Sequence, residues 1–139
     1  MDKIKPFHGY DRSIHLLFVD DDPYLLDASR RLLERLGYIV TIAYNSREAI
    51  EILKECNDGF DVVITDYDMP GMNGLELALE AREFLRDTPV ILFTGKIDLK
   101  SETILDKAGM AAIVTKPCQI KELDVIVRDI VDANNVANM

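Results

Sequence analysis

Five short apolar runs, Ile14–Val19, Ile39–Ala43, Val62–Ile64, Val90–Phe93 and Ala111–Thr115, alternate along this chain with stretches of helical periodicity. No other feature constrains the fold as strongly. Bounded by turn residues, Ile14–Val19, Val62–Ile64 and Val90–Phe93 read as strands buried on both faces, Ile39–Ala43 as a short strand and Ala111–Thr115 as the fifth strand. The stretches between them carry helix signals. Asp22 before Pro23 supplies an N-cap and a first-turn proline, Leu25, Leu26, Leu32, Leu33 and Leu36 recur at helical spacing, and Gly37 stops the helix. Asn45, with Glu48 three residues on, opens a second helix whose apolar side is Ala49, Ile50 and Leu53, closed by Gly59. Asn73 and Glu76 open a third, carrying Leu75, Ala78, Leu79 and Leu85. A fourth is predicted from about Leu99 to Ala108, stopped by Gly109, and a fifth from about Gln119 to Asp132, burying Leu123, Ile126, Val127, Ile130 and Val131.

Strands alternating with helices imply an α/β fold: a parallel sheet covered on both faces by right-handed crossovers. At this size the leading arrangement is a flavodoxin-like, doubly wound five-stranded sheet in the order 2-1-3-4-5. A chain of 139 residues suits one domain, and an apolar fraction of 48% is ample for one core. Residues 1–12 are expected to be a polar extension, 13–133 the domain, and 134–139 a polar tail that frays from about Ala133. His8 and His15 read as a tail residue and a strand-start residue rather than metal ligands. No run reaches the roughly 18 to 20 apolar residues needed to span a bilayer, and MDKIKPFHGYDRS lacks a signal-peptide core. A net charge of −9 argues against direct nucleic-acid binding or an anionic membrane surface. Cys56 and Cys118 are in no metal or redox spacing, which suits a reducing, cytoplasmic setting.

The residues that follow each run carry the chemistry. The first run ends in Asp20 and Asp21, the third in Asp66, the fourth in Thr94, the fifth in Lys116. In a parallel sheet these ends share one edge, where open α/β folds place their ligands. Acids at helix starts are favoured by the helix dipole, and Asp22 is read as one of these. The others converge on a pocket. Two carboxylates about 4 Å apart repel by roughly 4 kcal/mol at an effective dielectric of 20. Three must take up protons or hold a cation, and oxygen-only ligands in an open site suit Mg²⁺. A cation and an ammonium facing one carboxylate make sense if Asp66 attacks phosphorus as nucleophile while the positive charges neutralise the transferring oxygens.

Four segments, FVDDDP, ITDYDMPGMNGLEL, ILFTG and VTKP, resemble the receiver domains of two-component response regulators. The resemblance runs from about Ile14 to the final helix. It implies Asp66 as phosphoacceptor, Asp20 and Asp21 as the acidic pair holding Mg²⁺, and Asp68 as donor of a backbone carbonyl to the metal. It further implies that Thr94 hydrogen-bonds the phosphoryl group after activation, that Lys116 pairs with it, and that the Lys116–Pro117 bond is cis. The implied partners are a histidine kinase or histidine phosphotransfer protein, and a downstream target or second copy on the face of the fourth helix, fifth strand and fifth helix. The charged stretch Asp98–Lys107 is equally a solvated helix face. Asp68 and Lys96 occupy the positions that tune phosphate lifetime in the family, and an opposite-charge pair there would shield the acyl phosphate.

One departure from the family stands out: Ile113 occupies the fifth-strand position where many members carry the Tyr or Phe that reports phosphorylation. With no output domain after the fifth helix, the chain is expected to be a stand-alone adaptor or a piece of a longer regulator or hybrid kinase. Its only turnover would be slow self-dephosphorylation. The rival reading is a phosphatase of the haloacid dehalogenase type using Asp66 and Asp68. That family puts its Asp-x-Asp on the first strand and expects Thr or Val where this chain has Pro70.

Overall fold

The computed structural model describes residues 13–56, 59–95 and 109–137. The expected extension over residues 1–12 with His8, the fourth helix from Leu99 to Ala108, the Asp98–Lys107 stretch and Lys96 lie outside the described residues. The strands are β1 (His15–Val19), β2 (Ile39–Ala43), β3 (Val62–Asp66), β4 (Val90–Thr94) and β5 (Ala112–Thr115). They form one parallel sheet in the order β2-β1-β3-β4-β5. This is the doubly wound arrangement that the alternation predicts. The helices are α1 (Pro23–Arg35), α2 (Ser46–Glu55), α3 (Gly74–Glu80), α4 (Arg82–Leu85) and α5 (Ile120–Ala137).

Period-two alternation sorts the strand side chains into two layers. Leu16, Phe18, Val62, Ile64, Ile91, Phe93 and Val114 pack with Leu26 and Leu33 of α1 and Leu123, Val127 and Val131 of α5. On the opposite face Leu17, Val19, Val63, Val90 and Leu92 meet Ala49 and Leu53 of α2, Leu77 and Ala78 of α3, and Leu85 of α4. β3 and β4 are buried at every position, as central strands covered on both sides must be.

Caps set the helix starts. Asp22 accepts from the N–H groups of Tyr24 and Leu25, and Asn45 accepts from Glu48 N–H. Asn73 and Glu76 form a reciprocal capping box. Gly37 follows α1 with φ +99°, a conformation that a Cβ disfavours. Helix ends differ from expectation in three places. α2 stops at Glu55 with Cys56 as its cap, ahead of Gly59. The third predicted helix is two, because at Ala81 (φ −87°, ψ 0°) the chain makes a turn that separates α3 from α4. α5 continues to Ala137, past the fraying point expected near Ala133, because no Gly or Pro interrupts it and Val131 anchors its last turns in the core. Leu32 and Leu79, expected on apolar faces, are 41% and 52% exposed at the edges of those faces.

A polar clamp ties α5 to the α1–β2 junction. The Tyr38 hydroxyl donates to Asp124 Oδ1 at 2.6 Å, Arg128 Nε donates to the same oxygen at 2.8 Å, and Arg128 Nη2 donates to the Leu36 carbonyl at 3.0 Å. The guanidinium lies over the Tyr38 ring, 5.0 Å from its centre. Burial, then the Asp124 carboxylate, raises the Tyr38 phenol well above its usual range, so it stays a donor. Tyr38→Phe should cost about 1.5 kcal/mol in urea unfolding, the loss of a hydrogen bond to a charged acceptor.

Gly74, first residue of α3, packs against the end of β3. Its N–H donates to the Tyr67 carbonyl at 2.9 Å, and a Cβ there would collide with the Asp66 carbonyl oxygen and press Leu92 Cδ1 at 3.0 Å. Backbone cannot give way as a flexible side chain can. Gly74→Ala should therefore destabilise by about 2 kcal/mol in the same assay.

Candidate functional site at the carboxyl rim of the sheet

Alternation carries the site residues onto one face. Asp20 continues the series Leu16, Phe18; Asp66 continues Val62, Ile64; and Lys116 continues Val114, all residues of the layer shared with α1 and α5. The first two are buried, 1% and 7% exposed. Backbone pairing extends past the strands to hold them: Asp20 N–H donates to Ala43 O at 3.1 Å, and Lys116 N–H to Thr94 O at 2.8 Å. Asp22 N–H donates to Asp20 Oδ1 at 2.9 Å, so the α1 cap also orients the buried carboxylate.

Lys116 closes the arrangement. Its Nζ donates to Asp20 Oδ2 at 3.0 Å and to Asp66 Oδ1 at 3.2 Å, bridging residues 96 and 50 positions away in sequence. Asp20, Asp21 and Asp66 each bring a carboxylate oxygen to within 4.8 Å of the others, with Asp21 on the exposed side. One ammonium thus lies among three acids, and the Asp66 carboxyl is raised. Burial first, then the Asp20 charge, push its carboxyl above the ordinary range, and Lys116 offsets this only in part. Burial alone would lower the Lys116 ammonium; its hydrogen bond to Asp20, then the Asp20 and Asp66 charges, outweigh that and raise it. The donor set is all oxygen, under-neutralised and open to water on the Asp21 side. It fits a hard divalent cation.

The loop after Asp66 is held at several points. The buried Thr65 hydroxyl donates to the Asp66 carbonyl at 3.0 Å, and the buried Ser46 hydroxyl at the start of α2 donates to Met72 O at 2.9 Å. Met69 is 7% exposed in the α2–α3 layer. Asp68 lies exposed on this loop, and the Lys116–Pro117 peptide is cis.

Asp20, Asp21, Asp66 and Lys116 therefore meet, as the positions of the strand ends predict. Thr94 is buried at the last position of β4, one residue beyond the register partner of Asp66. That partner is Phe93, whose ring lies under Lys116 Nζ at 5.3 Å from its centre. Sequence reasoning missed Phe93, and the only signal was an aromatic one residue before Thr94. Ile113 stands beside Leu92 and packs into the α2–α3 layer, away from the acid cluster's face.

The raised Asp66 carboxyl has a pH consequence. The folded chain retains a proton that the unfolded chain gives up above the ordinary value of 3.8. Without divalent ions, stability should therefore fall as pH rises from that value through the raised one. Urea unfolding across mildly acid to neutral pH checks this, and Asp66→Asn should flatten the fall. A wild-type profile as flat as the variant's would contradict the charge balance described.

Comparison with known proteins fits this geometry. The family model for the response regulator receiver domain matches residues 16–128. Two-component response regulator ARR11 of Arabidopsis thaliana is 36% identical over 115 residues, covering 81% of this chain and 22% of that protein. The C4-dicarboxylate transport transcriptional regulatory protein DctD of Pseudomonas aeruginosa is 33% identical over 114 residues, covering 82% and 24%. The chain thus spans less than a quarter of these relatives' length. Among solved structures, a CheY-like response regulator receiver domain protein from Methanospirillum hungatei superposes with TM-score 0.82 at 28% identity, covering 90% of this chain and 98% of that one. The receiver domain of the hybrid histidine kinase CckA gives TM-score 0.72 at 31% identity, covering 84% and 98%. The haloacid dehalogenase alternative finds no support: Asp66 ends the third strand in sequence, at the centre of the sheet, and the matched family is another one. With its match to the family model and its β2-β1-β3-β4-β5 sheet, this chain belongs to the response regulator receiver domain family.

Proposed function

We propose that Asp66 is the phosphoacceptor of this receiver domain and that the rim around it is a phosphorylation switch. The observation that carries this is Lys116 Nζ bridging Asp20 Oδ2 and Asp66 Oδ1. An Asp66 carboxylate oxygen attacks phosphorus, an O–P bond forms, and the N–P bond of a phosphohistidine donor breaks as its imidazole leaves with a proton from solvent. Lys116 stands where negative charge gathers on the phosphoryl oxygens. The Thr94 hydroxyl is assigned to hydrogen-bond the phosphoryl group once transferred. Asp20, Asp21 and Asp66, with the Asp68 backbone carbonyl, would hold Mg²⁺. When bound, the ion supplies divalent positive charge against the transferring oxygens.

On this reading the partners are a sensor histidine kinase or histidine phosphotransfer protein upstream and a downstream protein or second copy, with no nucleic acid or membrane contacted directly. Turnover is limited to slow hydrolysis of the acyl phosphate. The chain works as a switch rather than a metabolic enzyme, in the cytoplasm. Among the described residues no helix is long and apolar enough to cross a membrane. The phosphoryl group brings up to about −2 charge to a rim already short of positive charge, so local rearrangement follows uptake.

Two measurements test the reading. Incubation with Mg²⁺ and a small acyl phosphate should yield acid-labile phosphate that maps to Asp66 and falls to background in Asp66→Asn; label persisting in that variant would overturn the assignment. Separately, Mg²⁺ at a hundredfold its dissociation constant should stabilise the fold by about 2.7 kcal/mol. An unchanged melting temperature across millimolar Mg²⁺ would count against the metal site.

A further inference from the structure

One residue at the rim has no role in the chemistry above. Phe93 is the register partner of Asp66 on β4 and is 6% exposed. Phe18, fully buried, meets its ring edge-on, with centres 6.0 Å apart and planes at 69°. The Lys116 ammonium lies over the same ring, 5.3 Å from its centre. The ring is thus packed against Phe18 and also faces the cation.

We infer that Phe93 is a positioning residue for phosphoryl uptake: its ring face seats the Lys116 ammonium over the sheet rim, beside Asp20 and Asp66. The inference rests on the reading of Asp66 as phosphoacceptor.

A lysine side chain loses considerable rotamer freedom when held in one place, and this one is 26% exposed, with water available as an alternative. Its two carboxylate contacts do not define the stem's path, and one of them changes during the reaction. Once Asp66 becomes an acyl phosphate, its charge moves onto the phosphoryl oxygens and the ammonium must follow. A third carboxylate would compete with those oxygens for the N–H donors. An aliphatic side chain would pack against the stem but not attract the charge. A ring face attracts the cation through its quadrupole without taking up a strong hydrogen bond. It keeps the ammonium near the rim and its donors available to incoming oxygens. Because Phe18 braces the ring, the seat stays in place as the charges rearrange.

The test combines a spectroscopic and a kinetic reading on the protein as it exists. In the wild type, ring current should move the Lys116 ε-methylene proton resonances upfield of those of surface lysines. Phe93→Leu should return them to ordinary positions and slow Mg²⁺-dependent uptake from a small acyl phosphate roughly three- to tenfold. Phe93→Tyr, which keeps the ring, should retain both the shift and the rate. Ordinary Lys116 shifts in the wild type would overturn the inference whether or not the leucine variant folds. So would a leucine variant with wild-type uptake, or a tyrosine variant as slow as leucine. If Asp66→Asn still accepts label, the phosphoacceptor reading fails instead, and the ring-current result identifies that failure as separate.

Discussion

The structure turns on one ammonium shared by two buried carboxylates. Asp20 is 1% exposed and Asp66 7%, yet only Lys116 among the rim groups described opposes them. Burying ions costs several kcal/mol each unless geometry and hydrogen bonds compensate. The compensation here is incomplete: Asp21 brings a third carboxylate, and burial, then the Asp20 charge, leave Asp66 with a raised carboxyl. The sheet can hold this deficit because hydrophobic layers on both of its faces lie beneath the rim. On the proposed reading the imbalance is useful, since a site short of positive charge would favour a divalent cation and respond when phosphoryl oxygens arrive.

Holding acids this close requires a backbone that cannot relax away from the strain. Asp66 is fixed on three sides. β1 and β4 flank its strand, Thr65 donates to its carbonyl, and Gly74 packs against that same oxygen so tightly that no Cβ fits. The following loop is tied to α2 by Ser46 and to α3 by the Asn73–Glu76 capping box. Residues that look structural in isolation therefore determine where the Asp66 carboxylate stands.

The opposite layer is anchored differently. Tyr38, Asp124 and Arg128 join α5 to the α1–β2 junction with hydrogen bonds to a charged group and a stacked guanidinium. α5 is thereby referenced to the edge of the sheet far from β5. Ile113 packs with the α2–α3 layer, while Phe93, whose ring lies under the ammonium, belongs to the α1–α5 layer. The position that carries a reporting aromatic in many family members is thus apolar and non-aromatic here, on the opposite face from the acids.

Much of this was legible in the sequence for a physical reason. Strand burial, helix caps and the parallel alternation depend on residues close together in the chain, and local chemistry determines them; Asp22, Asn45, Asn73 and Gly37 act as their types predict. Convergence of Asp20, Asp66 and Lys116 was also readable, because parallel strands put their ends on one edge. Helix ends were less so: the break at Ala81 and the extension of α5 to Ala137 depend on packing against distant elements. Register and face belonged to the tertiary structure alone. No local pattern states that Phe93 pairs with Asp66 and lies beneath Lys116, that Tyr38 meets Asp124 across 86 positions, or that Gly74 abuts the Asp66 carbonyl. Those contacts arise only when the sheet assembles, since each depends on how far one strand or helix slides along another. A periodic sequence specifies which faces are apolar, but not that displacement.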